Sequence, residues 1–201
     1  MAKLSPTKGN LLAEKKRLEL ARTGYELLDK KRNILIREMM MMIDTAAELH
    51  GRIESTFGEA YAALQRANIL GGIRADLAED VPIDDSLEIR YRSVMGVEIP
   101  MVECSDAVPV VPPYGLAESN SALDEAYLRF GEVKQLSAVM AEVENSVYRL
   151  ADAIKKTQKR AKALKNIIIP EAEASVREIT AVLEEKEREE FARMKIIKER
   201  K

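Results

Sequence analysis

Residues 11–70 read LLAEKKRLELARTGYELLDKKRNILIREMMMMIDTAAELHGRIESTFGEAYAALQRANIL, with apolar side chains recurring every three and four positions. A seven-residue grid with two inward positions, here called the seam, describes this stretch. The eighteen seam residues are Leu11, Glu14, Leu18, Ala21, Tyr25, Leu28, Arg32, Leu35, Met39, Met42, Ala46, Leu49, Ile53, Thr56, Ala60, Ala63, Ala67 and Leu70. Fifteen of the eighteen are apolar, all except Glu14, Arg32 and Thr56. The pattern therefore predicts one long helix that packs against another helix as a coiled coil.

Both ends of this first helix carry recognisable signals. Ser5-Pro6-Thr7 can begin it, because Ser and Thr cap free backbone amides and Pro suits the first turn. Gly71-Gly72 can end it, because glycine readily adopts the left-handed conformation that follows a helix.

A second periodic stretch begins near Ser119–Ser121 and predicts a helix of similar length. Its seam residues are Leu123, Tyr127, Phe130, Val133, Leu136, Met140, Val143, Val147, Leu150, Ile154, Thr157, Ala161, Leu164, Ile168, Ala172, Val176, Ile179 and Leu183. The step from Ile168 to Ala172 is four residues where the heptad expects three, which locally unwinds a supercoil. Pro170 lies beside it and removes one helical hydrogen bond. We expect a bend there, with the helix continuing beyond it.

The residues between the helices follow a different pattern. Leu87, Ile89 and Tyr91 alternate with charged residues, and Val97, Ile99 and Met101 resume the alternation after Gly96, which predicts a β-hairpin. Pro100 lacks an N–H, so we expect its strand to lose one ladder bond and to lie at an edge. Val108–Pro113 is β-branched and Pro-rich, which predicts an extended segment.

The predicted fold class is mostly all-α: a long antiparallel two-helix coiled coil with a small β-hairpin-containing head. Three domains follow from this reading: residues 1–72 as the first long helix, 73–117 as the head, and 118–201 as the second long helix. Charged residues make up 33% of the chain and aromatic residues only 4%, a composition typical of long helices. The same seams could instead pair two chains in a homodimer, an alternative that periodicity alone leaves open.

Charge is distributed unevenly, although the net charge is only −2. Residues 1–37 carry ten basic side chains against four acidic ones, residues 76–106 carry nine acids, and residues 155–165 carry six bases and no acid. If the helices fold back on each other, one basic cluster is expected to form from Lys30, Lys31, Arg32, Lys159, Arg160, Lys162 and Lys165. Such a cluster favours an acidic partner. The same fold-back places the acids of residues 184–190 opposite the bases of residues 8–17.

The chain shows no pattern typical of catalysis. Gly71-Gly72-Ile73 lacks the spacing of a phosphate-binding loop, and His50 is the only histidine, so we expect no multi-histidine metal site. Cys104 is the only cysteine, which fits a reducing compartment, and Asp84-Asp85 is interpreted as an acidic turn. We predict no catalytic residues, no metal and no cofactor.

Membrane insertion and nucleic-acid binding are not expected either. MAKLSPTKGN has no apolar signal core, and no apolar stretch reaches the length of about 18 residues that a membrane span needs. Nucleic-acid binding is the weakest alternative, because acids are interspersed among the bases of the coiled-coil segment.

Four segments resemble one known family. SPTKGNLLAEKKRLELARTGYELLDKKRNILI (residues 5–36) resembles the opening of the D subunit of V-type and archaeal-type ATPases. TQKRAKALKNIIIP (residues 157–170) is similar to that family's Thr-x-Arg-Arg-Val-Asn-Ala-Leu-Glu segment. Lys159 replaces Arg conservatively, and Ala161, Lys162 and Lys165 depart from the usual Val, Asn and Glu. LEEKEREEFARMKIIKE (residues 183–199) is similar to the family's acidic-then-basic ending, and Val94-Met95-Gly96-Val97 with Pro100 also looks family-like.

The resemblance implies a non-catalytic central-stalk rotor subunit of a rotary ATPase. Its implied partners are the catalytic and nucleotide-binding subunits of the ATPase hexamer, the small F subunit, and a C (or d) socket subunit on the membrane ring. Its implied location is the cytoplasmic side of the cell membrane, peripheral. A standalone coiled-coil scaffold or adaptor is the alternative function.

Overall fold

The computed structural model describes residues 5–73, 77, 81, 83, 86–104, 113–115 and 119–199. Helix α1 spans Lys8–Gly71, strand β1 Glu88–Val94, strand β2 Val97–Glu103, helix α2 Ser121–Ala163 and helix α3 Ile169–Glu199. A π-helical turn, Leu164–Ile168, joins α2 to α3. The predicted mostly helical fold with a hairpin between two long helical segments is confirmed. The predicted Val108–Pro113 segment, apart from Pro113, and the Asp84-Asp85 turn lie outside the described residues.

Helix α1 begins and ends where the sequence predicts. Thr7 Oγ1 accepts a hydrogen bond from the Asn10 amide at 3.2 Å and so caps the first turn. At the other end, Gly72 has φ 78° and its N–H donates to the Asn68 carbonyl at 3.0 Å. All predicted α1 seam residues are buried or half-buried except Leu70, which lies at the exposed last turn.

The chain divides into two compact units. The first comprises Met1–Asn33 and Ile154–Lys201, and the second comprises Ile34–Ala153. In the first unit, Lys8 pairs with Glu187 at 2.9 Å and Arg22 with Glu173 at 2.6 Å, so the two helices run antiparallel. Its buried seam residues are Glu14, Ala21, Thr157, Ala161, Ala172 and Ile179.

The second unit is also an antiparallel helix pair. Arg129 pairs with Glu59 at 3.3 Å and Arg66 with Glu125 at 3.3 Å, while Tyr61 and Phe130 make an edge-to-face contact with ring centroids 5.5 Å apart. Leu35 and Leu150 are fully buried in this unit. At its helix ends, Asn120 Oδ1 accepts the Leu123 amide at 2.8 Å and caps α2.

The helical path continues through Pro170. A proline at this position in a regular α-helix would clash with the carbonyl of Asn166 and leave it without a donor. Here Leu164–Ile168 instead form a π-helical turn, in which the Ile169 N–H bonds the Leu164 carbonyl, five residues back. A π turn holds one more residue than an α-helical turn, which matches the four-residue seam step from Ile168 to Ala172.

The hairpin turns at Met95-Gly96, whose φ angles are 52° and 74°. Two central residues with positive φ define the tight turn that best matches strand twist, and glycine adopts that conformation without strain. Val94 pairs with Val97 across it, and the register continues to Glu88 opposite Glu103.

The expectation that Pro100 removes a ladder bond is wrong. Counting from the turn, hydrogen-bonded and non-hydrogen-bonded pairs alternate, and Tyr91–Pro100 is a non-hydrogen-bonded pair. The nitrogen of Pro100 therefore points away from β1, where no ladder bond forms.

The outer edge of β2 is attached to α2. Glu142 Oε2 accepts the Val102 amide at 2.7 Å, and Arg149 Nη1 donates to the Glu98 carbonyl at 3.2 Å. The Arg149 guanidinium also lies 5.4 Å from the centroid of the Tyr91 ring. A groove of about 250 Å³ separates the hairpin from α2 and is lined mainly by apolar residues such as Ile89 and Ala138.

Candidate partner-binding surface

The basic cluster lies entirely in the first unit. Its α1 members, Lys30, Lys31 and Arg32, occupy one helical turn. Its other members, Lys159, Arg160, Lys162 and Lys165, lie at the end of α2 and in the π turn.

Contacts between the helices place the two halves of the cluster at similar levels. The Lys165 ammonium lies 5.8 Å from the centroid of the Tyr25 ring, and a Cβ on Gly24 would lie 3.8 Å from the Leu164 side chain. Lys30 follows Tyr25 by five residues on α1, and Arg160 precedes Lys165 by five residues on the antiparallel helix. The geometry is consistent with a shared basic surface on both helices.

The cluster is largely exposed and poorly neutralised. Lys30, Lys159, Arg160, Lys162 and Lys165 are exposed, and Lys31 and Arg32 are half-buried. Among the described residues, Arg32 is the one member with an ion pair, to Asp29 on its own helix at 2.7 Å. Like charges on adjacent helices repel, so this surface is suited to an external anionic group.

Charges at the free end of the first unit are complementary, as the fold-back predicts. The Lys8–Glu187 pair confirms this arrangement for one acid and one base, whereas Arg17 pairs with Glu14 on its own helix. The hydrogen bond to Glu187 and its negative charge raise the pKa of Lys8 above its usual value of 10.5. Both side chains are well exposed, so this pair contributes little to stability.

Sequence reasoning missed an apolar surface on the outside of α1. Leu20 and Leu27 are 73% and 61% exposed, and Leu12 is also exposed. The signal was available, since these leucines fall outside the seam of a helix whose other outward positions are mostly polar. Leu20 and Leu27 are seven residues apart on one side of the helix, and exposed apolar residues placed in this way are suited to contact with another protein.

The described residues hold no group of three or more Asp, Glu, His or Cys side chains suited to a metal ion. Within the described helices, no segment combines the length and apolar character needed to cross a bilayer. The candidate functional features described above are two surfaces on paired helices, namely the basic cluster and the exposed leucines of α1. They define a class, that of coiled-coil proteins with an inserted hairpin and charged outer faces.

Comparisons with known proteins identify the family. The sequence profile of the ATP synthase D-subunit family matches residues 10–199. The chain is 43% identical to the D subunit of the V-type ATP synthase of Thermotoga neapolitana over 199 residues, 98% of each chain. It is 37% identical to the D subunit of the A-type ATP synthase of Pyrococcus furiosus over 200 residues, 98% of this chain and 94% of the relative. The chain therefore belongs to the ATP synthase D-subunit family, as the sequence resemblance implies.

Proposed function

We propose that this chain is the central-stalk rotor subunit of a V/A-type rotary ATPase. In this role it couples ATP synthesis or hydrolysis in the catalytic hexamer to ion translocation through a membrane ring. Family membership over nearly the whole chain is the observation that carries the proposal. The paired helices support it, because two helices packed through a seam resist bending better than one.

The proposed role requires contact and not catalysis by this chain. An asymmetric shaft acts on a ring of similar catalytic interfaces by contacting them unequally, so that each interface favours a different conformation. Exposed ion pairs are individually weak, and a rotating contact must form and break repeatedly. The exposed basic cluster provides charges of this kind.

The proposed partners are the catalytic and nucleotide-binding subunits of the hexamer, the small F subunit and the C (or d) socket subunit. The proposed location is the cytoplasmic side of the cell membrane, as a peripheral part of the complex. Affinity purification of the tagged chain from its native cell tests the proposed partners. Recovery of ATPase subunits in fixed proportion is expected, and a preparation without them would overturn the assignment.

The basic cluster can be tested separately by charge reversal. Lys159→Glu replaces an exposed cluster base with an acid, and we expect weaker retention of ATPase subunits, with the difference shrinking at high salt. Arg52→Glu is the matched control, because Arg52 is exposed on α1 outside the cluster. If both variants retain ATPase subunits equally, the basic cluster is not part of the contact surface. That result would not affect the proposed rotor role.

A further inference from the structure

Two charged side chains interrupt the otherwise apolar seam of α1. Glu14 is only 6% exposed, and its Oε2 atom has no hydrogen-bond partner within the described structure. Its other oxygen lies 3.4 Å from Nη1 of Arg17, a side chain that is half exposed. A buried carboxylate with so few hydrogen-bond and ion-pair partners lowers the stability of the folded chain, because its loss of hydration is not offset. Arg32, eighteen residues further on, occupies the second charged seam position.

When α1 pairs with the returning helix of the same chain, the seam residues that face Glu14 and Arg32 are uncharged. The Lys8–Glu187 and Arg22–Glu173 ion pairs bracket Glu14 and place it opposite the turn Ile179–Leu183 of α3. That turn reads ITAVL and contains no charged residue. Arg32 pairs with Asp29 on its own helix at 2.7 Å. The seam residues at its level on the other helix, Thr157 and Ala161, carry no charge, and the bases of the basic cluster there lie outside the seam.

A parallel pairing of α1 with α1 of a second copy would be different. In an in-register parallel coiled coil each seam residue faces its own copy. Two Glu14 carboxylates would then share one layer and two Arg32 guanidinium groups another. Fifteen of the eighteen seam residues are apolar, and without the two charged positions they would favour such a dimer.

We propose that Glu14 and Arg32 are specificity-determining residues that prevent parallel pairing of the α1 seam between two copies of the chain. Thr56, the third non-apolar seam residue, carries no charge, and its hydroxyl donates to the Arg52 carbonyl at 2.8 Å. It therefore presents no repulsion to its own copy. The proposal concerns how the chain selects its own returning helix and does not depend on the rotor function. A polar residue at a seam position is an established means of selecting coiled-coil partners.

Disulfide trapping during refolding tests the proposal on the full chain. Ser5→Cys in a Cys104→Ser background places one thiol beside the start of α1, where two copies meet only in a parallel dimer. The protein is unfolded in urea, refolded at high concentration and oxidised mildly, and the cross-linked dimer is quantified. We expect little dimer with the native seam and a several-fold larger fraction with Glu14→Leu and Arg32→Leu combined.

Thr56→Leu in the same reporter background is the matched control, because it makes the seam more apolar without removing a charge. We expect its dimer fraction to equal that of the native seam. An unchanged dimer fraction in the double variant, or an equal rise with Thr56→Leu, would overturn the proposal. Circular dichroism of each refolded sample verifies that the helices have formed, so that misfolding is not scored as dimerisation.

Discussion

At the scale of single residues, Glu14 makes the sharpest stability prediction. Replacing a buried, poorly paired carboxylate with an apolar side chain removes a desolvation penalty and adds seam packing. We expect Glu14→Leu to raise the free energy of unfolding by about 1–3 kcal/mol, measured by urea denaturation. Glu19→Leu is the control, because Glu19 is exposed on the same helix and should change stability little. A loss of stability in Glu14→Leu would contradict the described burial.

The buried position of Tyr114 predicts that the stability of the fold decreases with pH in the alkaline range. Burial, with a smaller contribution from the 2.8 Å hydrogen bond to Asp124, raises the pKa of Tyr114 above its ordinary value of 10.0. Above pH 10 the unfolded chain therefore loses this proton more readily than the folded one, so the stabilisation is full below pH 10 and declines above it. We expect Tyr114→Phe to lack this decline.

Two measurements check the Tyr114 prediction. Ultraviolet titration of tyrosinate should show a late ionisation step, and Tyr114→Phe should remove that step. Urea denaturation across the same pH range should show the native chain losing stability relative to the variant. Identical pH profiles would contradict the assignment.

At the scale of secondary-structure elements, the attachment of the hairpin depends on Glu142. Removing this charged acceptor leaves the Val102 amide without its 2.7 Å hydrogen bond. Hydrogen bonds to charged groups contribute about 1.5–3 kcal/mol, so we expect Glu142→Ala to accelerate hydrogen exchange at Val102 roughly tenfold or more. Glu144→Ala is the control, because Glu144 is exposed on the same helix. Unchanged exchange in Glu142→Ala would show that this contact does not hold the strand.

Local sequence patterns predicted the elements because each has its own periodicity or turn chemistry. The α1 seam is confirmed at residues such as Leu35 and Ala63, and the hairpin turn is confirmed at Gly96. The contacts of Glu142 and Arg149 with β2 were not predicted, because they join residues about 40–50 positions apart and depend on how the hairpin lies on α2. The role of Pro100 was misjudged because it depends on strand register, which the turn geometry decides.

The π turn makes a prediction about which deletions the helix tolerates. Deleting Ile167 in a Pro170→Ala background should convert the π turn to a regular α-helical turn while keeping Ala172 and Ile179 in the seam. Deleting Gln158 in the same background should rotate the helix by about 100° across a regular segment and move seam residues out of contact. We expect the second deletion to lower the melting temperature far more than the first. Equal losses would show that the π turn does not absorb the extra residue.

At the scale of the whole molecule, the sequence predicted the candidate surface only in part. The basic cluster could be anticipated from charge runs, and its members are placed on one unit at similar levels. Its role as a partner contact stays a prediction. The exposed leucines of α1 were missed, because an amphipathic pattern draws attention to the seam and away from apolar residues outside it.

The last prediction concerns the exposed leucines and distinguishes an effect on folding from an effect on the binding of other subunits. Leu20 and Leu27 are exposed, so Leu20→Ser with Leu27→Ser should leave the melting temperature nearly unchanged. If the chain is a stalk component, the same double variant should bind ATPase subunits more weakly, because contact with a partner buries apolar surface. Leu35→Ser is the contrasting variant, since Leu35 is fully buried and its replacement should lower stability by about 2–5 kcal/mol. Melting curves and affinity purification from the native cell provide the two measurements, and a folded double variant with undiminished subunit binding would show that the leucine face is not a contact.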